Sequence, residues 1–135
     1  MSTEIIKHND KILAILAKTA QINDNLKFIS PEEFPLQVGI HNKGEKVLIG
    51  AHEHFPFINI NKLDCQEIFY LQKGKLEIGL YYGEKKVCTR TMEPGDIIIL
   101  NSGHDIKFLE DSKMIEIKQG PYRGRENEKR DIETK

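Results

Sequence analysis

The chain has no tryptophan and only two cysteines among its 135 residues, and aromatic side chains make up 7% of it. Cys65 and Cys88 stand far apart and fit no metal-ligand or redox spacing. A disulfide-stapled scaffold and a cysteine-rich metal motif are therefore excluded, and both residues read as free thiols in a reducing cytoplasm. Charge of one sign is lacking too: 20 basic residues face 21 acidic ones, for a formal net charge of −1. Such a balance gives no electrostatic footprint for nucleic acid or a membrane surface. No apolar run approaches the roughly 20 residues needed to span a bilayer. The opening MSTEIIKHND has neither an apolar core nor a cleavage signature, so a cytoplasmic location is the expectation. Internal repeats and low-complexity segments are absent.

What is present suits one ordinary globular domain, with 39% hydrophobic and 30% charged residues. In residues 10–21, DKILAILAKTAQ, apolar side chains fall at Ile12, Leu13, Leu16 and Ala20. That spacing predicts a helix, with Asn9 or Asp10 as its cap, lying on the outside of a sheet. Residues 1–35 then form an N-terminal helical extension that ends in the proline-bounded linker ISPEEFP. From Leu36 onward, short runs rich in Val, Ile, Leu, Phe and Tyr alternate with the turns NKGE, QKGK, YGEK and EPGD. Many short strands with glycine-bearing turns predict an all-β sandwich or barrel over residues 36–119. Residues 120–135 are charged and predict a polar C-terminal tail, solvated or in a short surface helix.

The stretch AHEHFPFINI sets His52 and His54 one residue apart. Side chains alternate faces along a strand, so in a strand over 46–54 both imidazoles share a face with Leu48 and Gly50. Two imidazoles on one face can reach one cation at about 2.1 Å. In EIFYLQKG, Glu67 shares a parity with Phe69 and Leu71. If those face the interior, so does the carboxylate, which is costly there unless paired or bound to metal. In GHDIKFL, His104 shares a parity with Ile106 and Phe108, while Asp105 and Lys107 face out. His52, His54, Glu67 and His104 thus converge from three strands as ligands for a divalent cation such as Fe, Mn, Ni or Zn. Tyr81 shares a parity with Glu77 and Gly79 and reads as outward. His41 reads as a rim residue and His8 as solvated.

These residues resemble the small single-domain cupins. The likeness rests on Gly50, the His-x-His pair and EIFYLQKGKLEI for a first motif, and on Gly95–Asp96, IIIL and Gly103–His104 for a second. It covers roughly residues 36–119. It implies a cupin-type double-stranded β-helix, a jelly roll, with His52, His54, Glu67 and His104 as metal ligands. The sequence departs from the pattern in three places. Twelve residues separate His54 from Glu67, where the family has a short connection. Asn101 stands where a proline is usual, and His104 follows Gly103 directly. The ending MIEIKQGPYRG is similar to cupins encoded among genes for bacterial surface carbohydrates.

The function expected from this resemblance is metal-dependent isomerase, epimerase or lyase chemistry on a small polar metabolite, a sugar derivative for instance. A non-catalytic ligand- or metal-binding module is the alternative. A metal-free barrel with His54 or His104 as base is a third reading. Phe55, Phe57 and Ile58 are candidates for a substrate mouth or a dimer interface. Apolar residues on both parities of LQVGIHN and EKVLIGA suggest a homodimer.

Overall fold

A computed structural model describes residues 2–56, 63–121 and 123–133. In chain order the elements are β1 (Thr3–His8), β2 (Lys11–Lys18), β3 (Leu26–Phe28), β4 (Gly39–His41), β5 (Glu67–Lys73), β6 (Leu76–Tyr82), β7 (Lys85–Met92), β8 (Asp96–Leu100), β9 (His104–Phe108), β10 (Lys113–Lys118) and the one-turn helix α1 (Arg125–Glu128). All strand pairs are antiparallel. A five-stranded sheet runs β1-β2-β8-β5-β10 and a three-stranded sheet runs β7-β6-β9, while β3 and β4 make a separate ribbon. The all-β class holds, and among the described residues the sheets do not close into a barrel. Nor is any described helix long and apolar enough to cross a membrane.

The predicted helix at 10–21 is a strand instead. Asn9 and Asp10 do not cap a helix; with φ of 49° and 64° they are the two-residue turn of the β1–β2 hairpin. Both positions of a type I′ turn need positive φ, and Asn and Asp tolerate it best after Gly. The helical spacing misled because β2 is buried on both faces. It lies between β1 and β8, and Leu13 to Ala17 are all buried. A strand covered on both sides reads as a continuous apolar run, and periodicity cannot distinguish that from a buried helix. A register shift after Ile6 adds to the disguise, because it lets both Leu13 and Ala14 join the same core.

That core fills the space between the two large sheets. Ile6, Leu16, Phe69, Leu71, Ile98 and Leu100 meet Leu76, Ile78, Leu80 and Met92 there. A second core lies on the opposite face of the five-stranded sheet. Ile15, Ala17, Ile68 and Ile99 are covered by Ile22, Ile29 and Phe34 from the stretch between β2 and β4. The predicted linker is therefore a packed loop, turned by a hydrogen bond from the Phe34 N–H to the Pro31 carbonyl.

The turns match their residues. Gly95, at φ +93°, follows Pro94, and the Asp96 N–H bonds back to the Glu93 carbonyl at 3.0 Å. This is the type II arrangement, which reserves its third position for glycine. Residues 47–56 carry no strand, contrary to expectation. Lys46 has φ +75° in a turn before them, and Val47, Leu48 and Ile49 are exposed.

Candidate functional site

Glu67 and His104 are each the first residue of a strand, and both lie on faces turned toward the core. Glu67 shares its face with the fully buried Phe69 and Leu71. His104 pairs across from the fully buried Leu80 of β6. The His104 Nε2 is 3.6 Å from the Glu67 Oε1, with the two side chains only 20% and 23% exposed. The edge of the Phe69 ring meets the imidazole at a centroid distance of 5.8 Å. The pair opens onto a cavity of about 760 Å³ whose walls include Ile106, Phe108 and Glu116. That size suits a small ligand.

Each member of the pair is electrostatically prepared. The His104 Nδ1 lies 2.9 Å from the Ser102 carbonyl oxygen. A carbonyl can only accept, so Nδ1 carries a hydrogen, and Nε2 is the nitrogen turned toward Glu67. The Glu67 carboxyl is held above the ordinary carboxylate range, first by burial and next by a hydrogen bond with Glu116; His104 and Lys118 pull it the other way.

Behind the pair lies a buried polar cluster that sequence reasoning missed. Gln66 is fully buried, and its amide donates to the Asn101 side-chain oxygen at 3.0 Å. Asn101 in turn donates to the Ile12 carbonyl at 3.0 Å. The Gln66 oxygen accepts from the Leu36 N–H, and the Gln66 N–H donates to Gln119. The residue before Glu67 is thus tied to the residue that opens the short loop to His104. Asn101, noted as a departure from proline, supplies a donor and an acceptor that proline lacks. The signal was a polar residue closing the apolar run IIIL.

A second network lies on the outer face of the three-stranded sheet. The Tyr81 hydroxyl donates to Asp105 Oδ2 at 2.5 Å, the Gly79 N–H donates to Oδ1 at 3.2 Å, and the Lys86 ammonium stands 3.3 Å from Oδ2. Gly79 makes this possible, since a Cβ there would fall 2.4 Å from Lys86 and 2.5 Å from Asp105. Despite burial, hydrogen bonds from Tyr81 and Lys86 hold the Asp105 carboxyl below its usual range. Tyr81 has the outward parity expected, but it is only 4% exposed, because other residues cover it.

His52 and His54 are placed differently. Both are exposed on a stretch without regular structure. Their rings lie 5.2 Å apart, edge toward face. The His52 Nδ1 is 2.8 Å from the Gly50 carbonyl oxygen, which leaves its Nε2 free in the same tautomer as His104. Gly50 stands in open space. The four predicted ligands therefore form two pairs. Among the described residues no group of three or more His, Cys, Asp or Glu is arranged to hold a metal. The donors nonetheless suit a divalent cation: Glu67 offers an oxygen, and His104 an imidazole nitrogen whose tautomer a backbone carbonyl has fixed. Phe57 and Ile58 fall outside the described residues, and Phe55 is 94% exposed.

No protein-family model matches the chain, and no curated protein or solved structure is similar enough to count as a relative.

Proposed function

We propose that this chain is a metal-binding cupin acting on a small polar metabolite of the sugar-derivative class, with Glu67 and His104 as the fixed half of its centre. One observation carries the reading: a carboxyl group and a free imidazole Nε2, 3.6 Å apart, at the wall of a ligand-sized cavity. His52 and His54 would complete the donor set. Two features support their arrival. Among the described residues the strand β9 ends its sheet with one edge unpaired, and an open edge is a template for another strand. Residues 47–54 are β-branched and apolar at their start, as a strand that fills it would be, and their apolar Val47 and Leu48 are otherwise left in solvent. Pairing there would set His52 and His54 on one face near His104.

A bound divalent cation would supply polarisation of a carbonyl or hydroxyl oxygen. The residues do the rest. Ser102 fixes the His104 tautomer, Gln66 and Asn101 fix the two strand starts, and Phe69, Ile106 and Phe108 keep one wall of the cavity apolar. Elemental analysis of protein purified without added metal tests the reading. Stoichiometric metal that is lost in Glu67→Gln and in His52→Ala/His54→Ala supports it; metal-free protein, or content unchanged in those variants, refutes it.

One observation favours a second, metal-free reading. The Glu67 carboxyl group and the His104 imidazole nitrogen, 3.6 Å apart at the cavity wall, are the residue types of a general acid–base pair, and burial pushes the carboxyl upward from its ordinary range. Turnover that survives a chelator would select it. The same proposal includes a homodimer, because Ile115 and Ile117 remain 41% and 51% exposed; light scattering that gives a monomer at all concentrations would remove that part.

A further inference from the structure

From Arg123 onward the chain is mostly charged, and Ile132 is out of character in it. It stands between Asp131 and Glu133, yet its side chain has a seat. A Cβ on Gly103 would fall 2.5 Å from Ile132 Cδ1 and 3.3 Å from Tyr81 Cβ. Gly103 is not in the left-handed region, so its backbone does not demand glycine. What the missing side chain provides is the space that Ile132 occupies. The other side of the seat is Tyr81, which is held down by its bond to Asp105. Residues 129–132 then line the same cavity as Glu67 and His104.

A second attachment lies one turn earlier. The Glu128 side chain is 5% exposed; it accepts the Arg123 N–H at 2.9 Å and faces the Lys118 ammonium of β10 at 3.8 Å. Between β10 and these contacts stand Gly120, Pro121 and Gly124, the last at φ +84°. The segment is therefore joined to the sandwich by a peg, by the Lys118–Glu128 pair and by Arg130, whose guanidinium lies 3.8 Å from Glu84 of the turn after β6.

We infer that residues 123–133 are a displaceable strap that closes the Glu67–His104 cavity, with Ile132 as its peg and Gly103 and Tyr81 as the socket. The inference goes beyond the metal reading and holds for whatever the cavity takes. A partly buried isoleucine with ion pairs whose cations reach solvent holds a closed state at roughly tenfold excess, enough to gate entry without locking it.

Carbethoxylation of the His104 imidazole by diethyl pyrocarbonate tests this, with rates read peptide by peptide by mass spectrometry on chelator-treated protein. Ile132→Asp should raise the His104 rate by roughly fivefold. Ending the chain after Pro121 should raise it at least as far, and Ile132→Val should leave it near the parent rate. The exposed His41 should react alike in all. An unchanged His104 rate in both Ile132→Asp and the shortened chain overturns the strap, and so does a rise accompanied by a collapse of the urea-unfolding midpoint, since that reports unfolding. Should the shortened chain fail to fold, Ile132→Asp alone decides. The metal reading is scored separately, from metal content before chelation.

Discussion

Two regions of this molecule each carry a pair of candidate ligands, and they are held in opposite ways. Glu67 and His104 begin strands whose next inward residues lie in the main core, and a buried amide cluster joins the positions beside them. His52 and His54 sit on an exposed stretch, where the His52 ring has one backbone partner. The first pair inherits its geometry from packing that exists with or without a ligand. Among the described residues the second has nothing comparable to fix it, so under the proposed function the ion would supply its order. A site built this way is half rigid and half adaptive, which is how a cavity can be pre-shaped and still admit its ligand.

The comparison is most easily broken at Phe69. Phe69→Ala removes a fully buried ring beneath His104 and should cost about 3–5 kcal/mol in urea unfolding. Phe55→Ala, beside the other pair, should stay within about 0.5 kcal/mol. Equal effects would erase the distinction. Next comes Asn101→Ala, which leaves the Gln66 amide and the Ile12 carbonyl without their partner and should cost about 1–3 kcal/mol.

Glu67→Gln sharpens the contrast through pH. Burial raises the folded Glu67 above its unfolded value, so the wild-type carboxyl favours folding below the unfolded pKa. That contribution is lost as pH rises through the folded pKa. In chelator the variant should therefore melt above the parent at neutral pH and converge with it at acid pH, whereas His52→Ala should match the parent throughout. The smallest effect lies away from both pairs. Arg90 lowers the Glu4 carboxyl, so the Glu4 contribution is present at neutral pH and lost as pH falls through its folded pKa. The pair is half exposed, and Glu4→Gln should cost less than about 1 kcal/mol, diminishing with salt.

How far the sequence could be read follows the same division. The strand runs from Glu67 onward were legible because glycine turns bound them and because each was long enough for a parity to show. The inward parity assigned to Glu67 and His104 followed from Phe69 and Ile106. The first strands were not legible: β2 is covered on both faces and lacks alternation, and Asn9–Asp10 suits a hairpin turn and a helix cap alike. Parity also could not show that Tyr81, on the outer face, is buried. What covers it lies some fifty residues away in a tail whose composition reads as solvent. Gln66 and Asn101 escaped notice because the worth of a buried amide depends on partners from three other parts of the chain.

If both pairs belong to one centre, long-range nitrogen–proton NMR of the five histidines reads it directly. Without metal, the His104 ring should show its hydrogen on Nδ1. On addition of one equivalent of zinc, the Nε2 signals of His52, His54 and His104 should shift together while His8 and His41 stay still. A shift at His52 and His54 with His104 unmoved would leave two unrelated pairs and contradict the account.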